Sequence, residues 1–148
     1  MQPITHNGVS MPIYQGVCGN EHVLAVDWRV SGVLPDGREF HVAVRKGFSF
    51  DGASIPRFLW RLCGHPLEVP RVAAALAHDW LYAAHVCDRE TADAIYRAVC
   101  ELVGMGSIRR DVEYYALRLC GSAAWNSPGS AEISFARAHG QLELDNPY

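Results

Sequence analysis

Alternation governs the first third of the chain. Leu24, Val26, Trp28 and Val30 share one face of a period-two run from His22 to Val30. Phe40, Val42 and Val44 do the same on the far side of Pro35-Asp36-Gly37, where a glycine can take positive φ. The pattern predicts a β-hairpin with a somewhat long connection, and residues 8 to 18 supply another short strand. From Ser54 the period becomes helical. Ser54 is the expected N-cap of a short helix with Pro56 in its first turn, Gly64 at its end and Phe58, Leu59 and Leu62 as its apolar stripe. A second helix runs from Pro70 to about His85. Asp88 caps a third, whose Ala92, Ile95, Tyr96, Val99 and Val103 make one face, and Gly104-Met105-Gly106 ends it. Ser107 caps a fourth, with Val112, Tyr115, Ala116 and Leu119 expected inward and Gly121 as its stop. Strands followed by helices predict an α+β fold: an N-terminal antiparallel hairpin or small sheet packed on a C-terminal bundle of about four helices.

The length of 148 residues fits a single domain over 1–148. Its core is expected at about 22–121, with 1–21 and 122–148 as peripheral arms. The tail from Ser122 is rich in Ser, Gly and Pro and should wrap the surface or meet a partner. With 49% hydrophobic and 20% charged residues the composition is that of an ordinary globular protein. A net charge of -3 offers no broad basic field, so a nucleic-acid partner is not expected. The longest apolar stretch, Val72 to Ala77, is too short to span a bilayer. The start, Met1-Gln2-Pro3-Ile4-Thr5-His6, has no basic n-region and no apolar h-region, so no signal peptide is expected. Five cysteines without a CxxC spacing suggest free, buried thiols in a reducing compartment.

The second predicted helix carries the chemistry. After Val72-Ala73-Ala74-Ala75-Leu76-Ala77 it places His78 and Asp79 in apolar surroundings. A buried carboxylate needs a partner: an Arg, a helix N-terminus or a metal. His78, Tyr82 and His85 line one face, and Asp79 lies about 100° around from His78, so the two are expected to serve different partners. Two readings stay open. In one, Asp79 bonds Arg57 or the backbone of the Asp51–Ser54 loop, and His78 is a hydrogen-bonded core histidine. In the other, His78, Asp93 and Tyr82 are a catalytic set, with His78 as general base and Asp93 as its orienter, and Asp79 and Asp51 hold a divalent cation. His41, His65 and His85 are possible accessory ligands. GxSxG, Walker and GxGxxG motifs are absent.

The run Gly47-Phe48-Ser49-Phe50-Asp51-Gly52-Ala53-Ser54-Ile55-Pro56-Arg57 with Trp60, then Ala73, Ala77-His78-Asp79 and Leu81-Tyr82, then Arg89, Ala92-Asp93 and Tyr96, resembles a domain family of unknown function encoded mainly by tailed bacteriophages and prophages. The likeness covers roughly residues 22 to 121. It implies a phage setting: synthesis in the bacterial host cytoplasm, incorporation into a virion, and other phage proteins or a bacterial envelope component as partners. A second likeness is mechanistic. His78-Asp79 with Asp93 on a following helix is similar to secreted phospholipase A2, which would make His78 the base, Asp79 a calcium ligand and Asp93 the orienter. The cysteines that flank that family's His-Asp pair, and its glycine-rich calcium loop, are absent here, so Asp51-Gly52 would have to stand in. HD phosphohydrolases share the His-Asp pair, but their all-helical fold does not match the expected strands. Two functions follow. One is a virion, tail or assembly component whose His/Asp site braces the helices. The other is a small calcium-type hydrolase of an envelope component.

Overall fold

The computed structural model describes residues 4–19 and 21–145. The outer ends of both expected arms, and the first three residues of the start read for a signal peptide, lie outside the described residues. The expected α+β architecture is present: small antiparallel sheets come first and helices follow. Strands β1 (Thr5–His6) and β2 (Val9–Ser10) form a minimal hairpin. Strands β3 (Tyr14–Cys18), β4 (Glu21–Leu24) and β7 (Ser49–Phe50) form one sheet in the order β3-β4-β7. Strands β5 (Trp28–Val33) and β6 (Glu39–Val44) are the predicted hairpin across Pro35-Asp36-Gly37, with Val30 opposite Val42. Trp28, Val30, Phe40, Val42 and Val44 are all buried, as their alternation requires.

The run from His22 to Val30 is broken rather than continuous. β4 and β5 belong to different sheets, and Val26 lies exposed in the bend between them. Asp27 holds that bend by accepting the Lys46 backbone N–H at 2.9 Å. A polar anchor therefore interrupts a pattern that hydropathy alone reads as one strand.

Helix α1 (Arg57–Cys63) begins after Pro56, whose missing N–H costs nothing there, and ends at Gly64. Only Leu59 of its expected stripe is buried; Phe58 and Leu62 face solvent. Helix α2 (Val72–Ala84) is apolar almost all round and is the buried axis of the molecule. Helix α3 (Arg89–Leu102) starts as predicted, with Asp88 accepting the Thr91 N–H at 2.7 Å, and all five residues of its expected face are buried. Helix α4 (Ser107–Cys120) stops at Gly121, but Ser107 does not cap it. Its inward residues are Glu113 and Leu117, while Val112, Tyr115 and Leu119 face outward. Arg71, buried at the head of α2, ion-pairs with Glu113 and sets that rotation.

The residues beyond 121 do more than wrap the surface. They form helices α5 (Ser122–Trp125) and α6 (Ser130–Ala138), and strand β8 (Gly140–Asp145), which pairs with β6. The Trp80 indole N–H donates to the Ala136 carbonyl at 2.8 Å, and Arg137 donates to the Ala84 and His85 carbonyls at the end of α2. Gly140 lies so close to Trp80 that a Cβ there would come within 2.3 Å of the indole ring. The tail is thus an integral third strand and a cap on the central helix. All five cysteines are free, but only Cys100 is buried, its thiol pushed up to about 12 by that burial; Cys18 and Cys120 are exposed. The expectation of buried thiols holds for one of the five.

Candidate functional site

The site forms where α2 meets the loop after β7 and the flank of α3. Phe50 ends β7 on the core side, and the chain then turns through Asp51-Gly52 at a glycine with φ of 76°. A Cβ on Gly52 would also stand 2.5 Å from the Pro66 ring. That turn aims the loop's donors at α2. The backbone N–H groups of Asp51 and Gly52 donate to Asp79 Oδ2 at 3.2 and 2.7 Å, and the Ser54 hydroxyl donates to Asp79 Oδ1. Asp51 closes its own turn by accepting the Ala53 N–H at 2.8 Å. Of the partners considered for Asp79, the loop is the one found. Arg57 stacks on Trp60 instead. Ser54 is not a helix cap; it is the hub between two residues expected to diverge.

His78 is fully buried and engaged at both ring nitrogens. Nδ1 lies 2.9 Å from Ser54 Oγ, and Nε2 lies 2.8 Å from Asp93 Oδ1. Asp93 thus meets His78 from the neighbouring helix. The same Asp93 oxygen accepts from the Tyr82 hydroxyl at 2.6 Å, and Oδ2 accepts from Arg118 at 2.7 Å, with Arg89 3.7 Å away. Tyr82 packs its ring on His78, centroids 4.0 Å apart, and Tyr96 meets the imidazole edge-on. Arg89 turns its remaining donors to the Leu117 and Arg118 carbonyls at the end of α4. One connected network thus joins the loop and helices α2, α3 and α4.

The protons in this network can be counted. With the Ser54 hydroxyl donating to an ionised Asp79, Nδ1 must donate to Ser54, and the imidazole carries charge between two carboxylates. If Asp79 holds the proton, it donates to Ser54, Ser54 donates to Nδ1, and the ring is neutral. Either way Asp79, His78 and Asp93 sum to one negative charge, which Arg118 offsets. Burial pushes the Asp79 pKa up; its bonds from Ser54 and Gly52 only partly offset burial and the nearby Asp51 carboxylate. Burial also acts on Asp93, but the bonds and charge of His78, with Tyr82 and Arg118, outweigh it and hold that carboxyl below its ordinary value. Tyr82 is raised by burial and then by Asp93, so it stays a donor.

These opposite shifts make the two carboxylates respond oppositely to pH. Stability from Asp93 is present above its unfolded value near 3.9 and lost as pH falls through its folded one. Stability from Asp79 is present below about 3.9 and lost as pH rises through its raised folded value. Asp79→Asn keeps an acceptor for both loop N–H groups and an amide donor for Ser54, so a cost of only about 1 kcal/mol is expected. The gap between wild type and D79N should narrow as pH rises above about 4, in urea melts at stepped pH. A gap that widens would mean that folding lowers the Asp79 pKa.

The network meets a cavity at its loop side and at Tyr82. Asp51, Ser54, Asp79 and Tyr82 line a cleft of about 740 Å³ whose other walls include Phe48, Glu21 and Glu132. His78 and Asp93 lie behind that wall, fully buried. The possible accessory histidines do not join: His41 pairs with Asp145, His65 packs on Trp60, and His85 stacks on Trp125. Reading the sequence missed Arg118, which neutralises the unit, and the Ser54 linkage. A buried Asp93 already on a helix face demanded a cation, but nothing in the spacing singled out Arg118 for it.

A family model described as a protein of unknown function, DUF1353, matches residues 28–117. That span contains Asp51, Ser54, His78, Asp79, Tyr82 and Asp93, and it stops just short of Arg118. No curated protein and no solved structure matches the chain.

Proposed function

We propose that this chain, which belongs to the DUF1353 family of proteins of unknown function, is a structural or accessory protein of a tailed bacteriophage or prophage, a virion, tail or assembly component in which the His78 network is a brace. The observation that carries the brace is the burial of His78 with both ring nitrogens hydrogen-bonded. A general base must reach its substrate's proton within hydrogen-bond distance or through one water. The donors around Asp79 argue the same way, because two backbone N–H groups and a hydroxyl aim positive partial charge where a calcium ion would sit. The phage setting rests on the sequence resemblance alone. Synthesis in the host cytoplasm followed by incorporation into particles, with other phage proteins as partners, belongs to the same proposal. Among the described residues no helix is long and apolar enough to cross a membrane.

A second reading keeps one specific observation. Ser54, Asp79 and Tyr82 line the cleft, and a hydroxyl, an imidazole and a carboxylate stand in sequence from Ser54 to Asp93. A hydrolase of an envelope component, with His78 as base and a divalent cation at Asp79 and Asp51, would use that cleft.

Calcium and a histidine variant separate the two. The brace expects millimolar calcium to leave the wild-type melt unmoved, and His78→Ala to cost about 2–4 kcal/mol, because it strips Ser54 and Asp93 of a buried partner. A calcium-dependent rise in the wild-type melt that Asp51→Asn abolishes would instead establish the cation site. For the setting, mass spectrometry of purified particles from the encoding phage should find the chain, or its deletion should block assembly. Particles that lack the chain and assemble normally without it would end the proposal.

A further inference from the structure

The outward face of α4 is built unlike a solvent face. Ile108, Val112, Tyr115 and Leu119 follow one another at spacings of four, three and four, the rhythm of a helix–helix seam. All four face solvent, Ile108 with 82% and Leu119 with 83% of their surface exposed. Leu62 on α1, 72% exposed, extends the patch beside the N-terminal half of α4, and Phe58 lies one turn before it. From these exposed fractions the six residues can bury at most roughly 700 Å² per chain, of the order of the 800 Å² or so that each partner contributes to a standard stable interface. Scattered exposed apolar residues are ordinary, but a contiguous patch of this size marks an interaction surface.

The shape of the patch selects its occupant. Between α1 and the start of α4 runs a groove of about 690 Å³ whose apolar wall is Leu62, Ile108 and Val112, with Cys63, Ser107 and Arg109 also lining it. At the other end of the same helix Leu119 projects as a knob, about 16 Å along the axis from Ile108. Knob and groove lie on one continuous face. A two-fold axis crossing α4 between Val112 and Tyr115 carries each knob to the other chain's groove, and it pairs Ile108 with Leu119 and Val112 with Tyr115. Such self-complementarity is what an isologous interface requires. We propose that α4 is the contact helix of a two-fold homodimer, lying antiparallel against α4 of a second copy, with Leu119 of each chain seated in the groove between α1 and α4 of the other. This interface is separate from the His78 network, whose one side chain on α4, Arg118, turns to Asp93 on α3.

Light scattering on the full chain across concentrations up to about 100 µM tests it, well above the dissociation constants typical of interfaces of this size. The expected result is twice the mass of one chain for wild type and a single-chain mass for Leu119→Asp and, separately, Leu62→Asp. Both side chains face solvent, so the variants should keep the wild-type circular dichroism spectrum. A short bis-maleimide should join Cys63 of one chain to Cys120 of the other, since Cys63 lines the groove and Cys120 follows the knob. A wild-type chain that stays monomeric, including one that uses this face for a different protein, overturns the proposal. So does a dimer that survives both Asp substitutions, or one cross-linked Cys120 to Cys120, which would place the helices parallel.

Discussion

Asp93→Ala is expected to cost about 3–5 kcal/mol of folding stability, among the largest losses available to a single substitution in this chain. The carboxylate is fully buried and accepts from His78, Tyr82 and Arg118, with Arg89 close by. Alanine leaves the buried His78 and the Tyr82 hydroxyl without their acceptor, and it leaves the partly exposed Arg118 charge without its counter-ion. Asp93→Asn should fall between wild type and alanine. Its oxygen can still accept from His78 and Tyr82, but its amide N–H₂ group then faces Arg118, donor against donor. Arg118→Leu added to Asp93→Asn removes that conflict, so the double variant should be more stable than the sum of the two single losses predicts. Urea melts of the four proteins measure the coupling directly. Additive losses would mean that Asp93 and Arg118 do not act as a pair.

The parts of this architecture that read well from the sequence are those fixed by local chemistry. The β5–β6 hairpin announces itself by alternation around a Pro-Asp-Gly turn, and α3 by its Asp88 cap and a single apolar face. The His78–Asp93 contact was legible because both lie on faces that two consecutive helices must turn toward each other. The misreadings share a different cause. Val26 leaves the strand because Asp27 anchors a bend, Ser54 turns from a helix cap into a buried hub because Asp79 waits across 25 residues, and α4 rotates because Glu113 must meet Arg71. In each case a polar group with a distant partner overrides the hydropathy of its neighbours, and that partner is not encoded in local spacing. The tail was underrated for a related reason. Its Ser, Gly and Pro read as a loose arm, but it is tied down by Arg137, Trp80 and the pairing of β8, none of which a composition count registers.

Glu113→Leu should be nearly as damaging as Asp93→Ala, at about 3–5 kcal/mol, because it removes one member of the other buried charge pair. Arg71 and Glu113 are both buried and ion-paired, and Arg109 approaches the second Glu113 oxygen at 3.8 Å. Burial pushes the Glu113 pKa up, and the Arg71 and Arg109 charges counter it only in part. The guanidinium also donates to Tyr96 at 3.2 Å and to the Gly64 carbonyl at 2.5 Å, so a single cation ties the end of α1 to α2, α3 and α4. Leucine at 113 strands that cation in the interior with the Tyr96 hydroxyl and one carbonyl as its remaining neutral partners. The Arg71→Met/Glu113→Leu double variant has no stranded charge, and its residual cost is the unmet Gly64 carbonyl and Tyr96 hydroxyl, about 1–2 kcal/mol. The double variant is therefore expected to be more stable than Glu113→Leu alone, a reversal that distinguishes a buried pair from two independent contacts. If adding Arg71→Met makes matters worse, Arg71 holds the helices through Gly64 and Tyr96 rather than through Glu113, and the rotation of α4 needs another cause. If the reversal appears, the outward turn of Ile108, Val112, Tyr115 and Leu119 follows from it: the charge pair draws Glu113 and Leu117 inward and leaves the apolar seam facing out.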